Sequence, residues 1–298
     1  MPANLIGIFL TLLALGFGLL TGIFVKQISV DVPLVTILLG RFWFSLPILF
    51  VVAFWVRGGE WLKINDKKTL ILRVIFGLGG ITFWFLSVRN IPIGLATALF
   101  QSSVIFITLM APFLLGERVG IFRWSAVIAG LAGVVLITDP FRDGLPAGVI
   151  YGVLAAISGA SLSITLRRLG KSEHPLSVAS IYNLSGGLAV TVLAILMPSQ
   201  LIIPEAQDFY FILLLGVVGS FLQICYTSAF RYTDATIIAI LRYLQVPGAI
   251  FVGYVMFSEV PTYIQFLGTI IVIGSSVFII LRELYLGRQQ HADKDAGN

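Results

Sequence analysis

The sequence predicts an all-α integral membrane protein with ten transmembrane helices, built as two inverted five-helix repeats. Three observations carry this expectation: a composition that water cannot cover, ten apolar runs long enough to cross a bilayer, and a self-similarity at an offset of about 142 residues. Hydrophobic residues make up 58% of the 298 residues and charged residues 11%. The mean hydropathy is +1.02. A water-soluble domain draws about a quarter of its residues from the charged set. The outer surface of this chain must therefore face lipid, and membrane lipids are its expected surroundings.

A helix needs about 20 apolar residues to cross the hydrocarbon. Runs of that size are expected at about 5–25, 32–56, 69–88, 92–115, 120–138, 146–166, 176–197, 208–230, 235–257 and 260–282. The opening MPANLIGIF has no basic n-region, and no A-x-A site closes the first run, so this segment reads as a retained helix. Connections are short, and only 57–68 and 198–207 resemble real loops. The polar end, 287–298, reads as a disordered cytoplasmic tail.

Orientation follows from the cations. Of the 19 Lys and Arg, 14 fall on the side that holds both termini, Arg73 counted among them because it flanks a helix end. Only Lys26, Arg89 and Arg142 fall on the other. The positive-inside rule makes both termini cytoplasmic. The net charge of +5 is accounted for by these loop cations, so no nucleic acid partner is expected.

The repeat divides the chain into residues 1–142 and 143–286. ALFQSSVIFITLMAPFLLGERV (98–119) aligns with AILRYLQVPGAIFVGYVMFSEV (239–260), bringing Glu117 onto Glu259, and Arg89 falls on Arg231. Near the starts of the halves, Gly7 and Gly18 fall on Gly148 and Gly159, and Lys26 on Arg167. Each half has an odd number of spans, so the second enters from the opposite face. Inverted repeats of this kind are a mark of secondary carriers, with substrate near the midplane.

Polar groups at mid-span face a partner or a cavity, because lipid penalises them. Arg41 and Arg242 are the two charges so placed. Arg41, within GRF (40–42), reads as a packing residue bonded to neighbouring backbone. Arg242, set among Tyr243, Gln245 and Pro247, reads as a cavity cation suited to a substrate carboxylate. The repeat superposes Trp84 on Tyr226 and Gln101 on Tyr243. Thr82, Ser102 and Gln223 are further candidates, with Ser103 and Thr227 behind them, since hydroxyls often bond only their own helix. Pro112 and Pro247 each remove a helical hydrogen bond and mark hinges. In GLGG (77–80), Gly79 and Gly80 permit close helix approach or bending.

Enzyme chemistry finds no support: there is no HExxH, no His cluster, no Ser–His pair and no mid-span carboxylate dyad. Cys225 is the sole cysteine, so no disulfide, metal site or cofactor is expected. A channel would show a filter loop or charged rings. No Asp, Glu or His lies at mid-span, so a facilitated carrier or exchanger fits at least as well as a proton antiporter.

The ordered set RNIPIGLATALFQSS…LLGERV (89–119), GRF (40–42), LRRL (166–169) and FSEV (257–260) resembles the EamA-type branch of the drug/metabolite transporter superfamily over nearly the whole chain. The resemblance implies a bacterial inner-membrane exporter, and is strongest to exporters of aromatic amino acids. It implies a pathway among the third, fourth, eighth and ninth helices, around Trp84, Gln101, Tyr226 and Tyr243. One departure stands out. The proline that the resemblance implies twelve residues before the Glu is Pro247 in the second half, but the first half has Ile105 there and Pro112 instead. The expected function is secondary transport of amino acids, aromatic and neutral ones included, and related metabolites, by a monomer. The alternative is broad-specificity drug efflux or nucleotide-type metabolite transport, with proton coupling open.

Overall fold

The computed structural model describes residues 3–114, 121–138, 146–233 and 235–296. Among these the chain is all helix and short turns, with no strand. The helices are α1 (Ala3–Gln27), α2 (Leu34–Trp43), α3 (Leu46–Arg57), α4 (Lys67–Asn90), α5 (Ile93–Gln101), α6 (Ser103–Leu114) and α7 (Ile121–Thr138). They continue as α8 (Ala147–Ser172), α9 (Pro175–Leu196), α10 (Ala206–Tyr232), α11 (Ala235–Arg242), α12 (Gln245–Phe257) and α13 (Tyr263–Ala296).

Eight stretches among the described residues are long and apolar enough to cross a membrane, and two shorter apolar helical stretches, Trp124–Ile137 and Tyr263–Ile279, take the fifth and tenth places of the expected series. The surface agrees with a lipid environment: Phe9, Phe50, Phe54, Ile71, Ile195 and Phe251 are all exposed. In water such a belt would drive aggregation. α13 extends past its apolar part to Ala296. Arg, Gln, Lys and Ala in that polar end are good helix formers, so a helix already nucleated in the apolar part can propagate into them.

Chain signals set the helix starts. Asp66 caps α4, accepting from the Thr69 N–H at 3.1 Å and from its hydroxyl at 2.7 Å. His174 precedes α9, with Pro175 at its first position, where a missing N–H costs nothing. The main packings are α4 on α8, α1 on α10 and α7 on α13. Applying the repeat offset to the α1–α10 pair gives the α8–α4 pair. α7 and α13 cross at glycines: a Cβ on Gly133 would lie 2.9 Å from the Gly268 carbonyl oxygen, and one on Gly268 would lie 2.7 Å from that of Gly133. Only glycine allows two backbones to meet so closely.

Three apolar spans are broken in the middle. α2 gives way to α3 at Phe44–Ser45, α5 to α6 at Ser102, and α11 to α12 at Tyr243–Leu244. Pro247 explains the last break. It has no N–H to offer the Tyr243 carbonyl, which accepts instead from the Val246 N–H at 3.1 Å in a tighter turn. Pro47 stands in the same relation to Trp43. No proline follows Ser102. There the hydroxyl bonds its own helix, donating to the Leu99 carbonyl at 2.6 Å, and the Ser102 N–H is shared between Ala98 and Leu99.

Candidate functional site

A cavity of about 150 Å³ lies where these helices converge. Its walls follow helical spacing. From α4 come Arg73, Gly77, Gly80 and Trp84; from α1, Ala14, Gly18 and Thr21; from α10, Leu222, Gln223 and Tyr226. Arg242 at the end of α11 and Gln245 at the start of α12 enter beside the break between them. Phe100 of α5, Gly159 of α8, Tyr182 of α9 and Arg41 of α2 complete the enclosure. Both halves of the chain thus contribute.

The polar content is lopsided. Arg41, Arg73 and Arg242 all line the cavity, and no Asp or Glu among the described residues does. Arg41 is fully buried and largely satisfied, donating to the Ser45 hydroxyl at 2.8 Å, to Asn183 Oδ1 at 3.2 Å and to the Gly219 carbonyl at 3.4 Å. Ser45 in turn donates to the Gly216 carbonyl. This network pins the α2–α3 break onto α9 and α10.

Arg73 is different. It is 1% exposed and stacks on Tyr182, its guanidinium carbon 3.9 Å from the ring centroid. It donates once, from Nη2 to Gln223 Oε1 at 2.9 Å. Its Nε and Nη1 find no acceptor among the described residues, and neither does Trp84 Nε1. Gly77, one turn on, leaves the room: a Cβ there would press into Arg73 Nη1 and lie 2.6 Å from Tyr182 Cε2. Arg242 donates from Nη1 to the Tyr226 hydroxyl at 3.1 Å and lies over the Phe100 and Tyr226 rings, 5.2 and 5.6 Å from their centroids.

The sequence candidates divide by position. Trp84, Gln223, Tyr226, Arg242 and Gly80 line the cavity. Gln101, Tyr243, Ser102, Thr82 and Gly79 do not. Gln101 and Tyr243 are buried and bonded to the helix breaks, Ser102 bonds its own helix, and Gly79 faces Ser158. Pro247 sits at the α11–α12 break; the Pro112 side chain and Glu117 lie outside what is described. Arg73 corrects the sequence reading, which counts it among the loop cations. It lies six residues inside α4, and its signal is the spacing Arg73, Gly77, Gly80, Trp84, one helical stripe pairing a cation with small residues and a ring. Tyr182 and Phe100 are further wall residues without a sequence signal.

One end of the bundle is tightly tied. Lys26 pairs with Glu259 and also donates to the Ile91 carbonyl at 3.1 Å. Glu259 accepts from the Ile93 N–H at 2.9 Å. Arg89 donates to the carbonyls of Ser29, Val30 and Val32, and the Ser29 N–H donates to Asp208. Arg167, which the repeat superposes on Lys26, is by contrast exposed.

Broken helices around a cavity that holds buried arginines, within an apolar bundle, are the architecture of membrane carriers. A family model, the EamA-like transporter family, matches this chain twice, over residues 5–139 and 146–281. The chain belongs to the EamA-like transporter family. It is a multi-pass membrane transporter of small molecules and not an enzyme. This member is 29% identical over 252 residues to the S-adenosylmethionine uptake transporter of Rickettsia felis, covering 84% of each chain. It is 27% identical to the riboflavin transporter of Rhizobium johnstonii, covering 82% of this chain and 80% of the relative. It is 26% identical to the pseudopaline exporter of Pseudomonas aeruginosa, covering 85% and 88%. A crystal structure at 17% identity shares the fold, with a TM-score of 0.65 over 94% of this chain and 96% of the other.

Proposed function

We propose that this transporter is a monomeric secondary carrier of bacterial inner membranes. It holds a small metabolite among α1, α4, α5, α10 and the α11–α12 break, and exposes it to either side by rocking of two inverted halves. The observation that carries this reading is a cavity built from both halves of the chain at broken helices, with the Lys26–Glu259 closure at one end. Its ten spans place both termini and the 57–68 and 167–175 loops in the cytoplasm, a reading supported by the cation bias.

The substrate class is amino acids and related carboxylates, aromatic and neutral ones included. Support comes from Arg242, able to meet a carboxylate by paired hydrogen bonds, and from the Trp84 ring on the cavity wall. A cavity of about 150 Å³ accepts a benzene-sized group. Riboflavin and S-adenosylmethionine are larger, which favours a smaller cargo here than in the relatives so named. Those relatives include uptake transporters beside an exporter, so they do not favour export over uptake.

The test is uptake of radiolabelled aromatic and small neutral amino acids by liposomes containing only the purified protein, with and without an imposed pH gradient. Saturable uptake without a gradient, weakened by Trp84→Ala or Arg242→Ala, is the expected result. Uptake that stops on collapse of the pH gradient alone overturns the facilitative reading. Transport of bulky cationic drugs in place of amino acids moves the assignment to broad efflux.

A further inference from the structure

We infer that the cavity selects substrates of net negative charge, whose anionic head is held by Arg73 and Trp84 with Arg242 beside them. The inference rests on the carrier reading above and narrows its cargo.

The inventory of donors and acceptors decides it. Arg73 is 1% exposed, yet only one of its donor nitrogens has an acceptor; Nε and Nη1 have none, and Trp84 Nε1 is likewise unmatched. An indole N–H and a guanidinium can only donate. Several wall oxygens already accept from wall donors: Gln223 Oε1 from Arg73, Gln245 Oε1 from Gln101, and the Tyr226 oxygen from Arg242, which leaves its O–H free to donate; the neutral hydroxyls of Tyr182 and Thr21 complete the side-chain oxygens of the lining. The cavity thus offers donors and few acceptors, the pattern that fits a carboxylate or phosphate.

Charge points the same way. None of Arg41, Arg73 and Arg242 pairs with a carboxylate among the described residues. Buried cations without counter-charges are costly, and a bound anion relieves that cost. A zwitterionic amino acid would bring its own ammonium against these guanidiniums. Rings could shelter an ammonium, but the Tyr182 ring is taken by Arg73 and those of Phe100 and Tyr226 by Arg242; the Trp84 ring remains, and an ammonium there would still lie in a cavity lined by three guanidiniums. The same skeleton without the ammonium fits better. Carboxylate and phosphate share the required chemistry, so both are tested.

The experiment compares labelled phenylsuccinate and phenyl phosphate, both dianions at about pH 7.5 that leak poorly through lipid, with phenylalanine, in liposomes containing the wild-type protein. At least one dianion is expected to show kcat/KM on the order of tenfold or more above phenylalanine. Which dianion wins assigns the head group. In Arg73→Gln, checked as monodisperse after purification, this preference is expected to collapse, and Arg73→Lys to restore part of it. Phenylalanine carried as well as or better than both dianions overturns the inference and leaves the carrier reading standing. Absence of saturable uptake for all three, and for the small neutral amino acids, overturns both. Should the Arg73 variants fail to fold, the wild-type comparison alone decides.

Discussion

Gln101 and Tyr243, superposed by the internal repeat, bond each other's helix breaks. The Gln101 side-chain amide donates to the Arg242 carbonyl at 2.6 Å, and the Tyr243 hydroxyl donates to the Gln101 carbonyl at 3.0 Å. Each residue therefore serves a carbonyl at the end of a broken helix, where the next turn supplies no regular N–H. The backbone of Arg242 is held by this contact while its guanidinium lies in the cavity.

Breaking either bond is expected to loosen both breaks. Tyr243→Phe removes one donor and keeps the ring, and should cost about 1 kcal/mol of stability. Gln101→Leu should cost a similar amount. The double variant should lose less than the sum, since the two side chains act on one junction. Thermal unfolding of the four proteins in detergent measures this coupling; strict additivity would show that the two bonds are independent.

The Lys26–Glu259 pair is expected to govern access from its end of the bundle. Glu259→Lys sets two cations together and removes the acceptor of the Ile93 N–H. Loss of one partner of such a mostly buried pair costs about 3 kcal/mol. In a Cys225→Ser background with Leu15→Cys on the cavity wall, an impermeant thiol reagent added from that side should label several-fold faster in Glu259→Lys. The reversed pair, Lys26→Glu with Glu259→Lys, should restore slow labelling. Equal rates in all three proteins would mean that the pair closes nothing.

Asp66 gives a pH dependence of known sign. Hydrogen bonds from Thr69, reinforced by Arg168, hold its carboxyl below the ordinary value of 3.8. A carboxylate with a depressed pKa stabilises the folded state fully above its unfolded pKa, and loses that contribution as pH falls through the folded one. Asp66→Asn keeps a capping residue and removes the charge. The stability gap between wild type and Asp66→Asn should be constant above about pH 5 and shrink at lower pH. A gap that grows on acidification would contradict this assignment.

How much of this was legible in the sequence depends on the kind of signal. Helices announced themselves because lipid imposes long apolar runs, and Pro247 located one break because a missing N–H is visible in the residue type. The break at Ser102 was less so, since a serine that bonds its own helix looks like any other serine. Polarity at mid-span points to Arg242 and Gln223, and the repeat points to Trp84 and Tyr226; all four line the cavity. Gln101 and Tyr243 were named by the same logic, yet their polar atoms are spent on backbone. Arg73 was missed because distance from a helix end measures depth, whereas burial depends on which face the residue occupies.

The unmatched donors of Arg73 have a consequence for the transport cycle. To switch sides, a carrier must pass through a form shut at both ends, with water shed from the cavity. With the anionic cargo inferred above, the guanidinium makes that passage beside a counter-charge; without cargo, it keeps only Gln223 and the Tyr182 ring, in a medium that screens charge poorly. The two legs of the cycle therefore differ in height, and the homeward leg is the higher. Cargo waiting on the far side lowers it, so this protein should turn over fastest when it has something to carry in both directions.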